Sequence, residues 1–258
     1  MAEQPGWTPI SSGPSGIAVD QQTVTVLDGR SIVVTRFHFG QVTFDLHVGS
    51  TDPPVDNAAI GPQASPVVSA DERTTLLAAF NGGFKTSAGA GGFEVDGQVL
   101  VPLVAGEASL VIDTNGFAHI GRWEQDLPYP QEHVASVRQN LALLVADSVI
   151  SPKISDIGAW GATLGGVAAV ARSAAGEDAQ GDILYAASMQ AVPVDLANAL
   201  ITAGATSAME LDINPEWIQL ALAATPGGPL TPGVAGQYRP ADQYLVGWTR
   251  DFVTVLAR

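Results

Sequence analysis

Cysteine is absent from the 258 residues, so neither a disulfide nor a thiolate metal centre can form. A chain of this length buries enough surface to need no covalent staple, and the redox compartment stays open. Positive charge is scarce: 11 Lys and Arg stand against 26 Asp and Glu, for a formal net charge of −15. That balance argues against a nucleic-acid partner or an anionic membrane surface, since both need clustered cations. No apolar run reaches the roughly 18 residues of a membrane-spanning helix, so no membrane insertion is expected. Residues 1–20 lack the basic and apolar regions of a signal peptide. The Ala-, Gly-, Pro- and acid-rich composition suits a secreted or cell-surface protein in trimmed form. His-x-x-x-His, P-loop, Gly-x-Ser-x-Gly and Gly-x-Gly-x-x-Gly patterns do not stand out, which removes the zincin, NTPase, α/β-hydrolase and dinucleotide-binding readings.

What is present is a globular composition, 46% apolar. Residues 1–20 read as a Pro/Gly/Ser-rich arm, and 21–258 as one domain. Asp28-Gly29, Asp96-Gly97 and Asn115-Gly116 are hairpin turns between strand-like runs. A further hairpin around Gly40-Gln41 would place Arg36 opposite Asp45 and leave His38 and His47 on a solvated face. Ser69 and Glu72 form a capping box that predicts a short helix over 73–79. Pro193–Ala203 carries Leu196, Ala199, Leu200 and Ala203 at helical spacing and stops at Gly204. Strands are expected at 108–113, 141–146, 167–172, 183–187, 218–223 and 252–256. The expected class is α+β: mixed or antiparallel sheets, many hairpins, two or three helices.

Three segments carry candidate chemistry. In Asn81-Gly-Gly-Phe84 the glycines would let backbone N–H groups approach an anion, with Asn81 and Lys85 adding polar contacts. Arg172 ends a Val/Ala strand and offers a guanidinium fork to a phosphate or carboxylate, or else forms a structural ion pair. In Ala208-Met-Glu-Leu-Asp-Ile-Asn-Pro-Glu-Trp217, strand alternation puts Glu210 and Asp212 on one face, with Cα atoms roughly 6–7 Å apart. Paired carboxylates serve glycosidic cleavage as acid and nucleophile or base. They serve equally as a cation site, calcium for example, with the Asn214 carbonyl, or as an exposed acidic edge. Asn140 is a lesser candidate.

Taken in order, these segments resemble the phosphodiester glycosidase family over roughly residues 70–255. Asn81–Phe84 matches an Asn-Gly-Gly-Phe segment, and Arg172-Ser173 matches a strand ending in Arg-Thr. Pro193–Ala205 with Met209–Asp212 matches a helix leading into a Leu-Asp-Gly-Gly-Gly-Ser strand. The resemblance implies an extracytoplasmic α+β domain acting on a glycosyl phosphodiester without an organic cofactor. It carries over Asn81, Gly82, Gly83, Arg172 and Asp212 by position. After Asp212 the family's glycines are replaced by Ile213-Asn214-Pro215, which blocks backbone approach and removes a donor. The expected partner is a carbohydrate or sugar phosphate. Asp212, Glu210 and Arg172 are the expected catalytic groups, while Asn81, Gly82, Gly83, Lys85, Asn140 and Asn214 are the expected binding groups. A non-catalytic glycan-binding domain, with Trp160, Trp217 and Trp248 lining a groove, is the alternative.

Overall fold

The computed structural model describes residues 6–53, 65–163 and 166–258. Among them, strands far outnumber helices, and the strands form three sheets. The first sheet runs, in spatial order, β1 (Thr8–Gly13), β2 (Gly16–Thr25), β3 (Ser31–Phe37), β14 (Ile183–Ala191), β13 (Val170–Asp178), β15 (Ala205–Glu210), β11 (Leu143–Ala146) and β12 (Val149–Ile150). The second runs β7 (Gln98–Val101), β6 (Phe93–Val95), β10 (Val134–Gln139), β8 (Ala108–Asp113) and β9 (Ala118–Arg122). The third runs β17 (Leu230–Pro232), β16 (Leu220–Ala223), β5 (Leu76–Asn81), β18 (Phe252–Ala257) and β4 (Val42–His47). Neighbouring strands within the sheets pair antiparallel. Two α-helices, α1 (Pro193–Thr202) and the single turn α2 (Gln243–Val246), and three 3-10 turns complete the described elements. The chain is therefore one mostly antiparallel β domain, richer in strand than the α+β expectation.

Period-two alternation explains the layers. On β14, Leu184 and Ala186 pack beneath α1 with Leu196, Ala199 and Leu200, while Ile183, Tyr185 and Ala187 enter the main core. That core also holds Phe44 and Leu46 of β4, Phe80 of β5, Leu110 and Ile112 of β8, and Val253 and Val255 of β18. Both faces of the central strands are thus covered, and β13 is buried from Ala171 to Asp178 instead of alternating. Helix α1 starts as its sequence demands: Pro193 lies in the first turn, and the Asp195 carboxylate accepts the Val192 N–H at 2.9 Å.

The hairpins at Asp28-Gly29, Asp96-Gly97 and Asn115-Gly116 form as expected. The one at Gly40-Gln41 does not. There the chain leaves the first sheet for the third: β3 pairs with β2 and β14, whereas β4 pairs with β18. Arg36 consequently meets Asp20 at 2.6 Å, not Asp45. Neither histidine lies on an open face: His47 is buried and His38 is half-buried among carboxylates. His38 lies 3.2 Å from Asp20 and 3.2 Å from Asp182, and His47 is buried against Glu72. The capping box closes as expected, with Ser69 N–H on Glu72 Oε2 at 2.9 Å, but it caps only a 3-10 turn over Glu72–Thr74. Residues 76–79, the larger part of the stretch read as helical, belong to the buried strand β5, because Leu-Leu-Ala-Ala-Phe-Asn fits a strand covered on both faces. Most of the stretch read as an arm is likewise built into a sheet, as β1 and β2; residues 1–5 lie outside the described residues.

Candidate active site

Strand β5 delivers Asn81-Gly82-Gly83-Phe84 between the ends of β10, β15 and β18. The glycines are there for close packing. A Cβ on Gly82 would stand 1.8 Å from Asp251 Oδ2, and one on Gly83 would stand 2.9 Å from the Arg138 guanidinium carbon. Their N–H groups are already used, Gly82 on the Asp251 carbonyl at 3.0 Å and Gly83 on Asp251 Oδ2 at 3.2 Å. Asp251 and Arg138 form a buried ion pair of 2.7 Å, and Arg138 also donates to the Phe84 carbonyl. The expectation that these amides hold a substrate anion is therefore corrected: they hold Asp251.

Asn81 and Asn140 are also committed internally. Asn81 Oδ1 accepts Tyr185 O–H at 2.7 Å and Gln219 N–H at 3.2 Å, while its Nδ2 donates to Ser173 Oγ at 2.9 Å. Ser173 Oγ in turn accepts the Asp212 N–H at 3.2 Å. Asn140 accepts the Phe84 N–H and donates to the carbonyls of Glu210 at 2.7 Å and Leu211 at 3.0 Å. One amide thereby fastens the glycine turn to the end of β15. Both asparagines position the site without facing it.

Glu210 and Asp212, expected side by side, part company. Glu210 and Arg172 are wholly buried and paired at 2.6 Å, and Arg172 also donates to the carbonyls of Trp160 at 3.0 Å and Ala191 at 3.2 Å. Burial pushes the Glu210 carboxyl upward against the pull of this guanidinium. Neither group lines the opening that Asp212 faces, so the expected catalytic roles of Glu210 and Arg172 give way to a structural ion pair. β15 ends at Glu210, and beyond it Asp212 turns toward an opening.

That opening is a cavity of about 820 Å³ lined by Phe84, Lys85, Leu141, Gly161, Val170, Met189, Asp212, Ile213, Asn214, Pro215, Trp217 and Tyr238, among others. Asp212 is the only carboxylate among its described lining residues. Its Oδ1 accepts the N–H groups of Ile213 at 2.7 Å and Asn214 at 2.8 Å, which fixes the carboxyl in an Asx turn. Burial raises its pKa from 3.8 to about 7, opposed by Arg250 and the two backbone donors. The Asn214 carbonyl accepts the N–H groups of Trp217 and Ile218, and Glu210 is sealed off, so the expected cation site of Glu210, Asp212 and Asn214 does not assemble.

Arg250 is the group that sequence reasoning missed. It is buried, donates to the Gly83 carbonyl at 2.9 Å, and brings Nη2 to 3.8 Å from Asp212 Oδ2. Its guanidinium lies 4.2 Å from the Trp217 ring centroid, and Lys85 Nζ lies 5.0 Å from the same centroid. Nη1 of Arg250 has no protein partner although it is buried. The sequence signal was an Arg-Asp pair opening an otherwise apolar closing strand. Arg250 lines a second hollow of about 560 Å³ with Thr51, Asp52, Thr86 and Ser87, and Lys85 and Trp217 border both hollows. Of the three tryptophans expected in a groove, Trp160 and Trp248 are core residues and Trp217 alone faces the opening.

No protein-family model matches the chain, and no curated protein sequence matches it. The fold does have solved counterparts. The zebrafish N-acetylglucosamine-1-phosphodiester α-N-acetylglucosaminidase catalytic domain, auto-inhibited by its pro-peptide, superposes with a TM-score of 0.58 at 16% identity, covering 98% of this chain and 88% of that one. A hypothetical protein from Synechocystis superposes with a TM-score of 0.54 at 11% identity, covering 93% of this chain and 62% of that one. At such identities the likeness is one of fold. Among the described residues no helix is long and apolar enough to cross a membrane.

Proposed function

We propose that the chain is an extracytoplasmic glycoside hydrolase acting on a glycosyl phosphodiester or a closely related linkage, with Asp212 as its acid/base group. The observation that carries this reading is Asp212 itself: an oriented carboxyl in a sugar-sized cavity, with its pKa raised to about 7 and a guanidinium 3.8 Å away. The activity of the fold neighbour on an N-acetylglucosamine phosphodiester supports the same class.

The lone carboxylate bears on the linkage. Ordinary glycosidases need a second carboxylic acid to protonate the departing alkoxide. A phosphate monoester departs as a stable anion and needs cations more than a proton. In the proposed pose the sugar occupies the larger hollow against Trp217 and Tyr238. The phosphoryl group lies toward Lys85 and the unpartnered Nη1 of Arg250. Asp212, ionised, takes a proton from the water that attacks the anomeric carbon while the C–O bond to phosphate breaks and Arg250 balances the departing charge. The chemistry calls for no organic cofactor.

Turnover of sugar-1-phosphodiesters against matched aryl glycosides tests the proposal. Phosphodiester cleavage that falls ~100-fold or more in Asp212→Asn supports it. Unchanged turnover in both Asp212→Asn and Arg250→Met overturns the residue assignment. The alternative, saccharide binding without hydrolysis, draws on the apolar wall that Ile213 and Pro215 bring where the resembling family has glycines. Saturable sugar binding by calorimetry, with no product released from any phosphodiester, would establish that alternative.

A further inference from the structure

A second cluster lies at the β4–β18 edge. Asp45 and His47 sit two apart on β4 and so share a face, Thr254 on β18 lies opposite Asp45, and Glu72 reaches in from the 3-10 turn. His47 Nε2 is 2.8 Å from Glu72 Oε1, 3.2 Å from Thr254 Oγ1 and 4.0 Å from Asp45 Oδ2. On the other side of the ring, Nδ1 is 3.1 Å from the Ser65 carbonyl. A carbonyl only accepts, so Nδ1 carries the proton, and in the neutral ring Nε2 presents a lone pair. That lone pair points at a carboxylate oxygen, with a second carboxylate close by. Three acceptors converging on one point suit a cation between them. A proton on Nε2 would balance Glu72 and leave the half-exposed Asp45 to solvent. A divalent ion balances both.

We propose that Asp45, His47 and Glu72 form a divalent transition-metal site, with zinc the best-matched ion and solvent completing the coordination on the open Asp45 side. The three donor atoms lie within 4.8 Å of one another. Zinc bonds of 2.0–2.1 Å place tetrahedral ligand atoms roughly 3.3 Å apart. The 2.8 Å and 4.0 Å separations bracket that value and the third pair lies within 4.8 Å, so side-chain shifts of about an ångström bring the three into range. One imidazole with two carboxylates favours zinc over calcium or magnesium, which prefer all-oxygen shells.

The surroundings are those of a supported metal site. The far atom of each ligand is held by backbone: Nδ1 of His47 by the Ser65 carbonyl, Glu72 Oε2 by the Ser69 N–H at 2.9 Å, and Asp45 Oδ1 by the Leu46 N–H at 2.8 Å. Phe252 stacks on the His47 ring at 4.4 Å and fixes its plane. The Asp45 side chain is 52% exposed, which gives an ion its entry path. The site would tie β4, β18 and the 72–74 turn together, and it is independent of the Asp212 reading.

The test is calorimetric titration of the EDTA-treated, dialysed full chain with ZnCl₂, with CaCl₂ and MnCl₂ as comparators, alongside thermal unfolding. The expected result is one zinc ion per chain, bound more tightly than calcium, and a raised Tm. Asp45→Asn, whose half-exposed side chain makes it the variant least disturbing to the fold, weakens binding by about tenfold or more. His47→Gln abolishes binding, and His133→Gln at the exposed His133 leaves it unchanged. The absence of saturable zinc binding would overturn the site in favour of a bare His47–Glu72 ion pair. So would wild-type affinity in both Asp45→Asn and Glu72→Gln, or loss of binding in His133→Gln.

Discussion

Asp212→Asn separates stability from activity at one atom. In the unfolded chain the carboxyl ionises near 3.8, whereas in the folded chain burial holds the proton up to about 7. A folded-state pKa above the unfolded one means the native chain binds more protons between these values, so this group lowers stability as pH rises through that window. Above pH 7 the full penalty on the charged form applies, ~4 kcal/mol for a difference of this size. Asparagine keeps an oxygen to accept the Ile213 and Asn214 N–H groups and carries no charge. If half the penalty is recovered after relaxation, the variant gains about 2 kcal/mol at pH 8, or roughly 4–8 °C in Tm for a chain of this length. Near pH 4, where the folded group is protonated and the unfolded one about half so, most of the gain disappears. Thermal or urea unfolding at pH 4, 6 and 8 measures this directly, and phosphodiester turnover is followed on the same samples. A gain independent of pH, or a loss at pH 8, would refute the account of a desolvated, functionally poised carboxyl.

If Asp212 acts as the base, kcat/KM rises with pH and reaches half its plateau near 7; a falling limb there would make it the acid instead. Gly82→Ala forces a Cβ against Asp251 and should cost about 1–3 kcal/mol or more in denaturant unfolding; full wild-type stability would contradict the packing role given to this glycine. Glu210→Gln strands the Arg172 charge and should cost ~3–5 kcal/mol, whereas the double replacement Arg172→Met with Glu210→Leu should cost clearly less; simple additivity would show that the two groups do not interact. His38 is held protonated to about 9 by Asp182 and Asp20, so its stabilisation is complete below 6.5 and lost as pH climbs through 9. His38→Gln should therefore destabilise at pH 6 and have little effect at pH 10; equal effects at both values would reject the ion-pair origin.

Much of the secondary structure could be read from local signals. Asp-Gly and Asn-Gly turns, the Pro193 start and Gly204 stop of α1, and the apolar runs of β8, β14, β16 and β18 all depend on neighbours in sequence. What escaped depends on distant chain. Gly40-Gln41 looks like a hairpin, and only the pairing of β4 with β18 and of β3 with β14 shows that it is a crossing between sheets. The helical signal at 73–79 was a capping box whose geometry formed but whose following residues were claimed by β16 and β18. In the site, Asp212 and Lys85 were legible from residue type and place. Glu210 was not separable from Asp212 by alternation alone, because β15 ends between them. Arg250 lay outside every candidate motif, and the glycine pair advertised ligand binding while serving Asp251.

All six residues of β5 are buried, and the strand is bonded on both sides, to β16 and to β18. It runs straight into the turn beneath Asp212. The floor under the opening is thus continuous with the most protected part of the molecule, and its amide hydrogens should exchange with deuterium only on global unfolding. Any ligand of larger girth would then have to be accommodated by the opposite rim, around Gly161–Thr163, with the floor holding still.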